Sequence, residues 1–500
     1  MTTRRIILIV LAVLLVGSIG NFIYNGIKTR SELARISGKD PAEQEEGVRN
    51  LMARGVLFDA LQGGSPPDTR LAAIGALGRI ANGGKNPEAF KELLQMLKDP
   101  DTESAEKKTH PVRDADKDQV AKVGVSYPDL LVPAANDPDA NIKAQSQAAL
   151  KVIGAPLQTQ MAAKLGDSGL RAPLGDILSG IGPTTIPLIA PYLKEPLLKP
   201  EDSAAKIQLI EIMGKFKTAE AATAILPFAG DTDPNVRRSV VTSLANIGDP
   251  AGAGVLIAAL EDTNTDASAR AAAAGALGAI ATPEANSAMG TALTDYDLSV
   301  ASAASAGLRR AGDAAQSVIA EALKSASVYV RTRAAEAAGG LSNPALALQA
   351  LASDTDPLVR AAAARSVGDI SIAKKTADSA ALTPLLNALA DKDGTVAGVA
   401  AQQLGRIGLP AVASLSTRLG SDDDTVAYYA SQALSGVGKP AVEDLMTLAQ
   451  PGKPAARWAA ITLGNIGDPR AASPLEALSK SSDADTAYAA TSALAKVRPG

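Results

Sequence analysis

Two acidic turns of the sequence resemble the opening of a calcium-binding loop. They read Asp137-Pro138-Asp139-Ala140-Asn141 and Asp231-Thr232-Asp233-Pro234-Asn235. A calcium loop takes carboxylate oxygens at alternate positions, but it also needs a glycine at its sixth position and a glutamate at its twelfth. Here the sixth residue is Ile142 or Val236, and neither turn has the glutamate. These carboxylates therefore predict helix N-caps and no metal site.

The other residue types form no pattern typical of catalysis. The 500 residues include no cysteine and one histidine, His110, which has no neighbouring cysteine or second histidine. This composition excludes disulfides, thiol nucleophiles and a zinc site. No nucleophile elbow, phosphate-binding loop or pair of catalytic carboxylates is recognisable. We therefore expect no enzymatic activity and no cofactor.

One short motif recurs from about residue 62 to the end of the chain. It consists of an apolar residue, two small or polar residues, a second apolar residue and usually a glycine, as in residues 244–248 and 463–467. Such a period is typical of stacked repeats that share a continuous core. The first residue of this repeat motif lies at positions 77, 120, 150, 178, 210, 244, 277, 308, 338, 367, 404, 434, 463 and 494. We expect about fourteen repeats with a period near thirty residues.

Each repeat is predicted to form two helices. In the repeat that ends at Gly248, an acidic turn with a proline precedes a run of apolar residues spaced by four, four and three positions. These residues, which share one helical face, are Val236, Val240, Leu244 and Ile247. Gly248 ends this first helix, and residues 255–260 form a second, apolar helix. The repeat is therefore a helix, a turn and a helix.

A basic residue stands seven positions before the repeat motif in eight of the fourteen repeats. These ladder residues are Arg70, Arg113, Lys143, Arg171, Arg237, Arg270, Arg331 and Arg360. A cation near a helix N-terminus is unfavourable for the helix dipole, so nearby groups must compensate it. We interpret the ladder as structural, with pairing to carboxylates and carbonyls of neighbouring turns; ligand binding is the alternative. Alanines at positions 301, 397, 427 and 456 predict gaps in the ladder.

The combined pattern resembles HEAT repeats, and most of all the short HEAT-like repeats of phycobilin lyase subunits and bacterial scaffold proteins. Asp233-Pro234-Asn235-Val236-Arg237 and Asp356-Pro357-Leu358-Val359-Arg360 match best, and the likeness covers residues 62–500. The resemblance implies an all-α fold, an α-solenoid in which the repeats stack into a right-handed superhelix. It implies little about function, because this repeat serves many unrelated roles.

Polar residues one, five and nine positions after the ladder position lie on the helix face opposite the core. This stripe consists of Arg238, Thr242, Asn246, Arg365, Asp369, Gln402, Arg406, Gln432 and Asn465. In related arrays this surface is the concave one, and we expect a protein partner to bind there. A net charge of −4 and an aromatic content of 3% argue against nucleic-acid binding. The single tryptophan, Trp458, is predicted to lie in the core.

The first thirty residues differ from the rest. Arg4 and Arg5 precede an apolar segment, residues 6–24, whose nineteen residues just suffice to cross a bilayer. We interpret residues 1–30 as an uncleaved membrane anchor, with a cleaved secretory signal as the alternative. Because such a segment normally exports the chain after it, the repeats are expected outside the cytoplasm, in the periplasm or at the cell surface.

Two further segments stand apart from the repeats. Residues 31–61 alternate charged and apolar residues and predict a helical cap or linker before the array at 62–500. Residues 98–119 are almost wholly polar and are predicted to form a solvated loop inserted in the array; a partner-binding arm is the alternative.

The sequence supports three hypotheses about function. The first is a membrane-anchored, non-catalytic scaffold that binds a protein partner on the stripe. The second, which the resemblance implies, is an accessory enzyme subunit similar to bilin lyases that acts on a protein substrate. The third is a structural spacer, for which deletion of residues 410–438 would change reach without abolishing binding.

Overall fold

Aspartates in the turns and glycines after the helices set the helix boundaries. The carboxylate of Asp139 accepts a hydrogen bond from the backbone N–H of Asn141 at 2.9 Å, and that of Asp233 accepts one from Asn235 at 2.8 Å. Gly248 comes directly after the helix that Asp233 caps and has a φ of 70°, in the left-handed region that favours glycine. The prediction that the calcium-like turns cap helices is confirmed.

The computed structural model describes residues 25–62, 66–84, 86–97, 111–194, 202–374 and 379–498, and in these ranges every regular element is a helix. The chain divides into two compact units, Met1–Ile225 and Leu226–Gly500. The α-helices of the N-terminal unit are α1 (25–36), α2 (Pro41–Ala53), α3 (Leu57–Gln62), α4 (Pro67–Gly84), α5 (Pro87–Met96), α6 (Pro111–Gly124), α7 (Pro128–Ala134), α8 (Ala140–Ile153), α9 (Gln158–Ala162), α10 (Ser168–Ile181), α11 (Ile186–Ile189), α12 (Ser203–Met213) and α13 (Ala219–Ile225).

The C-terminal unit continues in the same manner. Its α-helices are α14 (Pro234–Ile247), α15 (Ala253–Glu261), α16 (Ala267–Ile280), α17 (Pro283–Ala292), α18 (Leu298–Ala311), α19 (Gln316–Ala322), α20 (Val328–Ala337), α21 (Ala345–Ser353), α22 (Pro357–Lys374), α23 (Ser379–Ala388), α24 (Gly394–Ile407), α25 (Val412–Arg418), α26 (Asp424–Val437), α27 (Val442–Leu448), α28 (Ala456–Ile466), α29 (Ala472–Leu478) and α30 (Ala484–Val497).

Short 3-10 helices join many of these elements. They are Ala155–Leu157, Pro183–Thr185 and Ala190–Leu193 in the N-terminal unit, and Leu226–Gly230, Pro250–Gly252, Gly312–Ala315, Ala338–Gly340, Leu409–Ala411, Lys439–Ala441 and Pro469–Ala471 in the C-terminal unit.

Within each unit the helices alternate between two layers. The even-numbered helices from α4 to α30 are the first helices of the repeats, and the odd-numbered helices from α5 onward are the second helices. Within each unit, first helices pack on the first helices of the next repeat, as α16 does on α18 and α28 on α30, while second helices such as α15 and α17 pack on each other. The first residue of the repeat motif is buried in every repeat except the last, where Leu494 is half-buried. The predicted helical periodicity is confirmed.

Small residues bring neighbouring first helices close together. A Cβ atom added to Gly278 of α16 would lie 2.5 Å from the Cα and carbonyl oxygen of Gly307 in α18. No real Cβ comes that close to a backbone, so this crossing requires glycine. The low aromatic content of the chain is consistent with this packing, because closely spaced helices leave little volume between them.

The prediction of a solvated loop over residues 98–119 is wrong for its second half. Residues 98–110, which include His110, lie outside the described residues, but α6 begins at Pro111 and continues to Gly124. Proline suits the first turn of a helix, and the buried Val120 and Val123 are spaced as on one helical face. The high charge of the segment obscured this helix.

The N-terminal predictions fall partly outside the structure. The apolar segment 6–24 lies outside the described residues, and among the residues that are described no helix combines the length and apolar character needed to cross a bilayer. Residues 31–61 contain α2, most of α3 and the end of α1. In α2, Val48 and Leu51 are buried, and this helix packs on α4. Within this segment, α2 thus lies against the first helix of the first repeat.

Candidate binding surface

Three ladder arginines hold the turn of a following repeat. The guanidinium of Arg360 donates from Nε and Nη2 to the two carboxylate oxygens of Asp391, at 2.8 and 2.7 Å, and from Nη1 to the carbonyl oxygen of Asp354 at 3.0 Å. Arg331 makes the same fork on Asp354, at 2.8 and 3.1 Å. Arg270 does so on Asp295, at 3.2 and 3.0 Å.

These forks leave the charges almost without water. The side chain of Arg270 is only 1% exposed and that of Asp295 is 9% exposed. The hydrogen bond from Arg360 holds the pKa of the Asp391 carboxyl below its usual value, although burial opposes the shift. For Asp354, burial acts to raise the pKa, but the bond from Arg331 and those from the turn outweigh it and the pKa is lowered.

Two other ladder residues bind carbonyl or amide oxygens. Arg171 donates to the carbonyl oxygen of Leu165 at 2.9 Å and to the side-chain oxygen of Gln208, on the first helix of the next repeat, at 2.9 Å. Arg237 donates to the carbonyl oxygen of Asp231 at 2.7 Å. In all five cases the guanidinium donates to a carbonyl oxygen of the turn that precedes its own helix.

The three remaining ladder residues are Lys143, Arg70 and Arg113. Lys143 donates to the side-chain oxygen of Asn136 at 3.5 Å, at the limit of a hydrogen bond. Arg70 is half-buried on α4. Arg113 lies in α6, but its side chain is outside the described part of the chain.

All nine stripe residues lie on first helices. The exposed ones are Arg238, Asn246, Arg365, Gln402, Arg406, Gln432 and Asn465. Thr242 and Asp369 are half-buried. The face predicted from spacing is thus accessible along most of its length in the C-terminal unit.

Asp369 is occupied by contacts within the protein. It accepts from Arg309 of α18 at 2.9 Å and from Arg406 of α24 at 2.7 Å, so it joins three first helices. Burial acts to raise the pKa of Asp369, but the two arginines outweigh it and the pKa is lowered. Arg309 passes over the 3-10 helix Ala338–Gly340, where a Cβ on Gly340 would overlap its carbonyl oxygen. This ion-pair network reduces what Asp369 can offer a partner.

The stripe continues through the last three repeats, where further residues join Gln432 and Asn465. The positions one, five and nine residues after the ladder position are there occupied by Tyr428, Gln432 and Gly436, by Arg457, Ile461 and Asn465, and by Tyr488, Ser492 and Lys496. Most of them line a groove of about 750 Å³ over α26, α28 and α30. A second groove of about 430 Å³, lined by Gln402, Arg406 and Gln432, shares Tyr428 and Tyr429 with it.

Trp458 belongs to this aromatic groove, and the prediction that it lies in the core is wrong. Its ring is half-buried, contacts Tyr428 edge-on at 6.0 Å between centroids, and is covered by the guanidinium of Arg457 at 4.9 Å. The indole N–H donates to Asp424 at 3.2 Å. An indole N–H needs a hydrogen-bond acceptor. Trp458 lies two residues after the ladder position, and the carboxylate that accepts from it, that of Asp424, lies at the surface.

Comparison with known proteins agrees with this architecture. The family model for HEAT repeats matches residues 190–267, 315–405, 345–435 and 412–495, which together exceed half of the chain. The chain is a HEAT-repeat protein. A search of curated proteins finds no match to this HEAT-repeat chain.

Among solved structures, the karyopherin Kap121p bound to the extreme C-terminus of the protein phosphatase Cdc14p is similar at 11% identity, with 86% of this chain and 56% of that chain covered and a TM-score of 0.42. Importin beta is similar at 12% identity over 94% of this chain and 72% of that one, with a TM-score of 0.36. Human deoxyhypusine hydroxylase is similar at 20% identity over 57% and 98%, with a TM-score of 0.21. The HEAT-repeat chain spans little more than half the length of Kap121p.

A compositional signal for the groove exists in the sequence. Three of the eight tyrosines and the only tryptophan lie between residues 428 and 488, although aromatic residues make up just 3% of the chain. The periodicity of the HEAT repeats places Tyr428 and Tyr488 on the stripe.

Within the described residues, no group of histidine, cysteine, aspartate or glutamate side chains is arranged to hold a metal ion.

Proposed function

We propose that this HEAT-repeat protein is a non-catalytic scaffold that binds a protein partner on the exposed face of its first helices. The aromatic groove, where Tyr428 is 43% exposed and Tyr488 is 77% exposed, is the observation that carries the proposal. Large exposed aromatic side chains that are grouped on one surface are typical of protein interfaces, where tyrosine and tryptophan supply much of the binding energy.

The stripe extends this surface. Gln402, Arg406 and Gln432 line the groove next to the aromatic one, so polar hydrogen-bonding groups adjoin the aromatic side chains. An apolar centre with a polar rim is the usual anatomy of a protein interface. The overall charge of −4 and the scarcity of aromatic residues elsewhere favour a protein over a nucleic acid.

Attachment to a membrane is part of the same proposal. Residues 6–24 are apolar, come after two arginines and have the length of a bilayer-spanning helix. An uncleaved anchor there would hold the scaffold at the membrane with its repeats outside the cytoplasm. Deletion of residues 1–30 is expected to move the protein from the membrane fraction to the soluble fraction.

The binding surface is tested by capture from solubilised membranes with two matched variants of the tagged full-length chain. The stripe variant replaces Arg365, Gln402, Arg406 and Gln432 with alanine. The control variant replaces Gln316, Glu321, Thr417 and Asp444, which are exposed on second helices. We expect the control to retain the partner of the wild-type protein and the stripe variant to lose it. Equal capture by the two variants would show that the partner binds elsewhere.

A further inference from the structure

The aromatic groove also indicates what kind of segment it binds. We propose that it accepts an extended, proline-rich peptide that carries lysine or arginine, contributed by the partner protein. This inference rests on the proposed function and specifies the chemistry of the partner.

The aromatic side chains form a row across three helices. Tyr428, Trp458 and Tyr488 are, respectively, the fifth residue of α26, the third of α28 and the fifth of α30, so they lie at similar heights on successive first helices. All three line the groove, together with Tyr429. Grooves lined by such rings bind polyproline II helices, because proline rings pack flat against aromatic faces and the peptide loses little entropy.

The period of a polyproline II helix matches the spacing of the row. Neighbouring packed helices lie roughly 8–10 Å apart. A polyproline II helix rises about 3.1 Å per residue and has three residues per turn, so one turn advances about 9 Å. A peptide that crosses α26, α28 and α30 can therefore place a proline at every third position against successive aromatic residues.

The rim of the groove on the side of the helix N-termini is acidic. Asp424 and Asp485 line the groove from the first turns of α26 and α30, and Asp422, Asp423 and Asp483 lie in the adjoining turns. The cations on this side are Lys453 and Arg457, which line the adjoining groove, and Lys480, which lies in the turn before α30, so five carboxylates face three cations.

Arg457 already pairs with Asp424 and stacks on Trp458, whereas the carboxylate of Asp485 is exposed. A polyproline II helix has three faces. When one face carries prolines against the rings, the next face points to the rim. Lysine or arginine on that face complements the acidic charge.

Trp458 provides a direct measurement, because it is the only tryptophan of the chain. The full-length protein is titrated with a synthetic peptide of three Pro-Pro-Lys repeats while the fluorescence of Trp458 is recorded. Two control peptides are titrated in parallel. Ala-Ala-Lys repeats keep the charge without the polyproline conformation, and Pro-Pro-Glu repeats keep the conformation with the opposite charge.

We expect a saturable change of fluorescence with Pro-Pro-Lys, about tenfold weaker binding of Ala-Ala-Lys, and no saturation with Pro-Pro-Glu. Binding of Pro-Pro-Lys should weaken as salt is added, because the rim charges are exposed and screened. The absence of a saturable change, or equal affinity for Pro-Pro-Lys and Ala-Ala-Lys, would overturn the proposal.

Three single substitutions test whether the peptide binds in the aromatic groove. Tyr488→Ala is expected to weaken binding of Pro-Pro-Lys about tenfold, and Asp485→Asn is expected to weaken it and reduce its salt dependence. Tyr329→Ala removes a tyrosine that is 47% exposed on α20, outside the groove, and should leave the affinity unchanged. Equal affinities of the wild-type protein and Tyr488→Ala would also overturn the proposal.

The two proposals fail in different ways. If no peptide binds but the stripe variant still loses the captured partner, the surface is correct and the proline-rich ligand is wrong. If neither Tyr488→Ala nor the stripe variant changes capture, the scaffold surface itself is wrong.

Discussion

Arg360 and Asp391 lie 31 residues apart in sequence, and the guanidinium of Arg360 donates hydrogen bonds to both carboxylate oxygens of Asp391, at 2.8 and 2.7 Å. Their side chains are 8% and 12% exposed. A buried ion pair adds little net stability relative to well-packed apolar residues, because both charges lose their hydration. The geometry of the pair nevertheless fixes how one repeat stacks on the next. The guanidinium of Arg360 binds a carbonyl oxygen in the turn before its own helix and, at the same time, the carboxylate of Asp391 in the turn of the next repeat.

Removal of Arg360 is therefore expected to be costly. Arg360→Ala should lower the free energy of unfolding by about 3–5 kcal/mol, because Asp391 would remain buried without its counter-charge. Arg360→Lys should recover part of the loss, since an ammonium replaces the charge but not the planar fork. Urea denaturation followed by circular dichroism measures both effects.

The matched control is Arg365→Ala on the same helix. Arg365 is exposed, and substitutions at such surface positions usually change stability by less than about 0.5 kcal/mol. If Arg360→Ala were no more destabilising than Arg365→Ala, the ladder would not be a structural device.

The same arginine–aspartate pairs are expected to make the free energy of unfolding depend on pH. The pKa values of Asp354 and Asp391 are lower in the folded protein than their usual values. A carboxyl with a lowered folded-state pKa stabilises the fold fully above its unfolded pKa, near 4, and this contribution is lost as the pH falls through the folded pKa. We expect stability to fall as the pH is lowered below about 4. Asp391→Asn should be less stable at neutral pH and should show a shallower decline, which urea denaturation at several pH values would reveal; parallel curves would contradict this.

Local rules of helix formation account for what could be predicted from the sequence. Aspartate before a helix and glycine after it identify the boundaries, and burial at the motif positions gives the two-layer packing of the repeats. Partners distant in sequence could not be read in the same way. Acidic turns are frequent, so the pairing of Arg331 with Asp354 depends on the stacking of the repeats. The contact from Arg309 to Asp369 spans two repeats and depends on the small residues between them.

The binding surface, too, could be predicted from the sequence only in part. Spacing alone identified the exposed face of the first helices, including Gln402 and Gln432. It did not indicate that Tyr428, Trp458 and Tyr488 would meet in one groove, because that requires three successive helices to be in register. A lone tryptophan in a helical sequence is more often a core residue, whereas in the structure the N–H of Trp458 donates to Asp424 at the surface.

Two glycines of one helix predict opposite effects of the same substitution. Gly278→Ala is expected to destabilise the protein by about 1–3 kcal/mol, because the new Cβ would collide with the backbone of Gly307. Gly275, one turn earlier on α16, has no atom within 4 Å of such a Cβ. Gly275→Ala should stabilise the protein by about 0.5–1 kcal/mol through helix propensity. Thermal and urea denaturation would measure both, and equal effects would show that α16 and α18 do not approach as described.

The proposal that the repeats lie outside the cytoplasm can be tested by labelling, because the chain has no cysteine. Gln316→Cys introduces a single thiol at an exposed position on α19, away from the stripe. We expect a membrane-impermeant maleimide to label this thiol in intact cells, or after selective opening of an outer membrane, because the segment at 6–24 should export the repeats. The wild-type protein, which has no thiol, is the control for specificity. Labelling that appears only after the inner membrane is lysed would place the repeats in the cytoplasm.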